Sequence, residues 1–231
     1  MTTVRRPGDA IGQGLKGESP SKRAASPAVK VGVVRGKDAV ACAAIGIAGA
    51  LIFLFVFPKG SISTLMHEVL ELPGPGAGIA LVLGPFLVLV ALISSLLSRG
   101  HGGAVLASLV FAVTYALVVR LLDIPANPKG AFGSLMFIAA VIVFSIAAEA
   151  VMVLGTALKA AWRCMLSGAL ANAALLVFYW MVIFPRTYKW VDWSDVPLLM
   201  GLCLAGGLAA GYIARVVSGP LSRALALKEK E

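Results

Sequence analysis

Six separate apolar runs, each long enough to cross a bilayer as a helix, constrain this chain more than any other feature. They are Ala39–Phe57, Ala77–Leu97, Ala104–Leu122, Ser134–Ala157, Met165–Phe184 and Val196–Val217. Each holds roughly 19–24 residues, the length a helix needs to cross about 30 Å of hydrocarbon. Backbone N–H and C=O groups find no water in lipid, so only helices or closed barrels can span it. A barrel would show shorter segments of alternating polarity, and the six runs are continuous. The expected fold is an all-α integral membrane protein, a bundle of six transmembrane helices. Composition agrees: 59% of residues are hydrophobic, 13% are charged, and mean hydropathy is +0.93. A soluble domain of this size needs far more polar surface.

The remaining sequence divides the chain into a basic N-terminal tail (1–37), a membrane domain (38–220) and a charged C-terminal tail (221–231). The first tail is rich in Gly, Ser, Pro, Lys and Arg without apolar periodicity, which predicts disorder. Its basic stretch is too long for a cleavable signal, so the first apolar run acts as an uncleaved anchor. Of the 20 Lys and Arg residues, only Lys59, Arg120, Lys129, Arg186 and Lys189 fall on the side away from the tails. Retention of positive charge inside predicts both termini in the cytoplasm and a multi-pass protein of the cytoplasmic membrane. The net charge of +9 sits in tails and short loops, a pattern that suits a lipid bilayer and not nucleic acid.

The first outer loop, Pro58–Gly76, carries apolar residues at Leu65, Met66, Val69, Leu70 and Leu72. That spacing predicts a short helix capped by Ser63 or Thr64, with Glu68 and Glu71 on its polar side. The PGPGAG run, Pro73–Gly78, then turns the chain into the second span. The third outer loop holds Tyr188, Trp190 and Trp193 among charges and reads as an interfacial anchor. Gly84-Pro85 lies inside the second span, where proline removes a donor and frees a carbonyl, so a kink is expected.

Polar residues inside the spans are the candidates for chemistry. Glu149 in the fourth span is the clearest, because a carboxylate in lipid is costly without a partner or water. It reads as a ligand-binding acid, a proton carrier or half of an ion pair with Lys159 or Arg163. Asn172 in the fifth span either bridges helices or faces a ligand. Tyr179 and Trp180 form either an interfacial belt or a stacking wall for a planar ligand. Arg120 ends the third span, where it snorkels or binds an anionic group. His67 and Glu68 are adjacent, so they diverge on a helix, and His101 lies in a loop on the other side. No metal site follows from them. Cys42, Cys164 and Cys203 have no CxxC partner and read as buried small hydrophobes. There is no Ser/His/Asp set, phosphate-binding loop or HExxH motif, so neither an enzyme nor a cofactor is expected.

Small residues repeat every turn in two spans. The first contains Ala39xxxAla43, Ala44xxxAla48 and Gly46xxxAla50; the sixth contains Gly201xxxAla205xxxAla209 and Gly207xxxGly211. Such faces let helices approach closely, within the chain or against another subunit. With six spans, a long first outer loop, an alanine-rich first helix and the segment LPGPGAGIALVLGPF (Leu72–Phe86), the chain resembles the S components of energy-coupling factor (ECF) transporters over residues 38–220.

The resemblance implies capture of a small organic substrate, such as a vitamin or precursor, from outside. It implies uptake by toppling of the loaded bundle, driven by ATPase subunits through a transmembrane coupling protein. Ala39, Ala43, Ala44 and Ala48 would then meet the coupling protein. The implied ligand regions contain His67, Glu68, Asn172, Tyr179, Trp180 and Trp190, with Glu149 joining only if it lies deep enough. The N-terminal Met-His of nickel and cobalt members is lacking. The competing class is a non-catalytic structural or assembly subunit of a larger membrane complex, using the same small-residue faces without a pocket. A third reading, an independent carrier or small channel, lacks an evident inverted repeat.

Overall fold

The computed structural model describes residues 34, 36–57, 64–98, 100–122, 134–187 and 190–228, with side chains at 187 and 223–228 excepted. The expected disordered tail lies almost wholly outside these residues, as do Ser63, Tyr188 and the last three residues of the charged C-terminal tail. Six helices are long and apolar enough to cross a membrane, as the runs predict. We label them α1 (Lys37–Val56), α2 (Ile79–Leu97), α3 (Gly103–Leu121), α4 (Leu135–Leu154), α5 (Ala160–Ile183) and α6 (Val196–Lys228). The described residues contain no β-strand; before α1, the Val34 N–H donates to the His101 carbonyl at 3.2 Å.

Boundaries match the sequence reading within three residues, apart from two ends. The fifth helix starts at Ala160, five residues before the expected Met165, and so includes Trp162 and Arg163. These tolerate the helix terminus because Trp162 is exposed and the Arg163 stem lies beside Gly155, where an added side chain would crowd it. The sixth continues through Pro220 to Lys228. The even number of spans puts the start of α1 and the end of α6 at one end, the terminal end, and the connection between α1 and α2 at the other, the first-loop end.

Helix α2 is the axis of the bundle. It touches all five other helices, which follow one another around it in the order α1, α3, α4, α5, α6. Its membrane window and that of α5 are 56% buried, against 28% for α1 and α6. The outer helices are held by close backbone contact at glycines. A side chain at Gly46 of α1 would strike the Ala107 carbonyl of α3, and one at Gly49 would strike Val90 of α2 and approach Phe111 of α3. Gly207 and Gly211 of α6 lie against the backbones of Gly168 and Cys164 in α5. Lipid gives no hydrophobic drive between helices, so this tight dispersion contact carries their association. The two stripes of α6 therefore separate: Gly207 and Gly211 are buried, whereas Gly201, Ala205 and Ala209 are not.

Two spans contain a wide, π-type turn near the first-loop end, Ile79–Leu83 in α2 and Tyr179–Ile183 in α5. In α2 the cause is partly visible. The Gly84 N–H pairs with the Ile79 carbonyl, five residues back. The next rung would join residue 85 to Ala80, and Pro85 has no N–H to give. The expected disruption at Gly84-Pro85 is thus a change of winding that leaves the Ala80 carbonyl without a backbone donor.

Candidate functional site

Midway along α5, the buried Asn172 side chain supplies what Pro85 withholds. Its Nδ2 donates to the Ala80 carbonyl of α2 at 2.9 Å and to the Cys203 carbonyl of α6 at 2.7 Å. Two carbonyl acceptors fix the orientation of the amide. Gly84 leaves room for it, because any side chain there would fall on Asn172 Oδ1. Of the two readings open at Asn172, the structure displays helix bridging: one amide ties three helices.

Toward the first-loop end, α5 continues into Tyr179 and Trp180, both buried. Trp180 Nε1 donates to the Pro75 carbonyl at 3.1 Å. This seats the Pro73–Gly78 turn on the indole. Gly76 makes the seat sterically feasible: its φ is +121°, and a side chain would meet Trp180 Nε1 and Leu176 at 3.0 Å. Tyr179 stands edge-on to Phe184, with ring centroids 5.8 Å apart. Tyr115 on α3 belongs to a further aromatic set. Its ring is 5.6 Å from Phe137, 6.1 Å from Phe53 and stacked with Phe111 at 6.3 Å. Sequence reasoning missed Tyr115 and Phe137. The signal was weak, since single aromatics in apolar runs usually just fill space.

The first loop folds locally over this end. In place of the expected capped helix it makes a single wide turn, Leu65–Val69, and Thr64 provides no side-chain cap. Met66 is buried beneath it. His67 Nδ1 lies 2.9 Å from the Leu72 carbonyl, and Glu71 takes a left-handed φ of 49°, uncommon for a residue with a side chain. His67 and Glu68 are exposed. Trp190 and Trp193 are 74% and 77% exposed, as an interfacial anchor would be. Beside them the Ser194 N–H donates to Asp192 Oδ1 at 3.0 Å and holds that carboxyl below its usual range.

Glu149 is placed apart from all of these, near the terminal end of α4. Its Oε1 accepts from the Gly102 N–H at 2.8 Å and its Oε2 from the Ala104 N–H at 3.2 Å. Those donors open α3, where four N–H groups have no partner within the helix and the dipole favours negative charge. The partners of Glu149 among the described residues are therefore backbone donors; neither Lys159 nor Arg163 pairs with it. The structure brings Trp180, Tyr179 and the first loop together and leaves Glu149 at the other end. No three His, Cys, Asp or Glu residues gather as a metal site among the described residues. Cys42, Cys164 and Cys203 are buried and unpaired as disulfides.

Fold and site together define a polytopic membrane protein with a glycine-packed body and an aromatic, loop-covered end. Compared with solved structures, it is similar to one described as an S-component of an ECF transporter, with a TM-score of 0.61 and 22% sequence identity. The match covers 86% of this chain and 95% of that one. The chain thus has the S-component fold expected from its sequence. No protein-family model and no curated protein sequence matches it.

Proposed function

We propose that this chain is the membrane-embedded substrate-capture subunit of an energy-coupling factor importer for a small organic molecule, such as a vitamin or precursor. The likeness of fold over nearly the whole of both chains carries the proposal. In this reading both termini are cytoplasmic and the first-loop end faces outward. Tyr179 and Trp180 form the wall against which a planar ligand stacks. His67, Glu68 and Trp190 stand at the rim, and Asn172 fixes the helices behind the wall. Glu149 serves as scaffold at the inner end. The partners are a transmembrane coupling protein and ATPase subunits. Ala44 and Ala48 lie on the exposed face of α1, where a second membrane protein can reach them, while Ala39 and Ala43 are half-buried beside them. The protein supplies binding and no catalysis.

The test is mass spectrometry of small molecules released from the purified protein. A stoichiometric organic ligand, lost in Trp180→Ala but kept in Glu149→Gln, is the expected result. A ligand-free protein that copurifies with another membrane subunit, with that association lost in Ala48→Trp, would instead favour a structural subunit and overturn the capture role.

A further inference from the structure

The lipid-facing side of the bundle carries one feature that substrate capture does not use. Between α3 and α4, near the first-loop end, lies a groove of about 220 Å³. It is lined by Val113, Ala116, Leu117 and Arg120 of α3 and by Leu135 and Ile138 of α4. Five of these six are apolar, and Val113, Leu117 and Leu135 are exposed, so in a bilayer the groove opens onto acyl chains. Its volume falls below the roughly 300–1,000 Å³ of ordinary small-molecule pockets. A slot of that size and lining takes a length of hydrocarbon chain better than a compact polar ligand.

Charge gathers at the same end. Arg120 lines the groove itself and is exposed. Arg186, also exposed, reaches the first turn of α4 from the other side, its Nη1 lying 2.8 Å from Met136 Sδ. That first turn is the N-terminus of a 20-residue helix capped by Ser134, the positive end of its dipole. Two guanidiniums thus bracket one helix start beside an apolar slot. Arginine's planar fork matches phosphate oxygens, and at membrane interfaces its stem lies along apolar surface while its head seeks the headgroup layer.

We propose that this groove is a binding site for an anionic phospholipid, with one acyl chain along Leu117 and Ile138 and the phosphodiester on Arg120. A guanidinium beside an apolar slot pairs with an anionic headgroup by this chemistry on either face of the membrane. The inference needs only the bilayer and stands apart from the substrate reading.

Native mass spectrometry of the detergent-purified protein tests it, with dioleoylphosphatidylglycerol, dioleoylphosphatidylcholine and inorganic phosphate titrated separately. The wild type should retain one phosphatidylglycerol in preference to phosphatidylcholine. Arg120→Ala should weaken that retention by about tenfold, the scale of one charge-assisted hydrogen bond, and Arg120→Lys by less. Leu117→Trp should block the lipid by filling the slot with both arginines intact. A monodisperse size-exclusion profile shows that each variant is folded. Equal retention of the two lipids would overturn the proposal, as would unchanged phosphatidylglycerol binding in Leu117→Trp. Inorganic phosphate binding as tightly as the lipid would also overturn it, because the slot would then contribute nothing.

Discussion

Two polar side chains inside this apolar bundle, Asn172 and Glu149, face opposite deficits. Around Asn172 the backbone lacks a donor: Pro85 cannot serve the Ala80 carbonyl, and the amide Nδ2 does so at 2.9 Å. Around Glu149 the backbone lacks acceptors: the first N–H groups of α3 have none within the helix, and the carboxylate receives two of them. Where lipid excludes water, an orphaned backbone group is costly. The sign of the deficit selects the residue, a donor for a carbonyl and an anion for a helix N-terminus. The two sites also differ in burial. Asn172 is fully enclosed, whereas Glu149 is half-buried, so water can partly replace the second and not the first.

That contrast can be tested by removal. The largest effect is expected for Asn172→Ala, which leaves the buried Ala80 carbonyl without its donor and removes the tie to Cys203. It should cost about 2–3 kcal/mol in equilibrium unfolding, the scale of leaving such groups unsatisfied. Pro85→Ala restores a backbone N–H near Ala80, so Asn172→Ala should cost less in that background. A double-mutant cycle with no coupling between residues 85 and 172 would break the explanation. Gly84→Ala comes next: its new methyl falls where Asn172 Oδ1 lies, so the amide must shift at a cost of about 1–3 kcal/mol. Thermal unfolding in detergent measures it, and Asn172→Ala should relieve part of the clash.

Glu149→Gln should be milder, about 1 kcal/mol, as for loss of a helix cap. It keeps one acceptor oxygen but loses the charge that suits the helix dipole. Hydrogen exchange at Gly102 and Ala104 should rise while the amides near Ala80 stay protected. Asp192→Ala sets the lower limit, because Asp192 makes the same kind of contact in water. Its carboxyl pKa is lowered by the Ser194 N–H. Its small contribution is therefore present above the ordinary carboxylate pKa and fades as pH falls through the lowered value. The variant should differ slightly from wild type in thermal unfolding at neutral pH and not at all in strong acid.

Much of the architecture was legible in the sequence, because span number and length follow from the thickness of hydrocarbon alone. The start of α5 was not, since Trp162 and Arg163 interrupt the apolar run where the helix leaves the lipid. The freed carbonyl at Pro85 and the bridging amide at Asn172 were each readable. Their meeting was not, because it joins residues 92 apart in sequence, Ala80 and Asn172, and only packing brings them together. Glu149 shows the same limit: its charge was conspicuous, but its partners come from a turn 47 residues earlier. The stripes of α6 show it again, since Gly201xxxAla205xxxAla209 and Gly207xxxGly211 look alike until a neighbouring helix chooses one. At the aromatic end, Trp180 was singled out from its position, while the Pro75 carbonyl that holds it carries no side-chain signature.

The proline in α2 has a consequence for how this sequence can drift. As long as residue 85 is proline, residue 172 must donate a hydrogen bond from a short side chain and residue 84 must stay small. Three positions on two helices are thereby bound into a single inherited unit. A lineage that replaces the proline first releases the other two, whereas one that loses the asparagine first must pass through a weakened intermediate. The order of substitutions, and not only their sum, is written into the winding of α2.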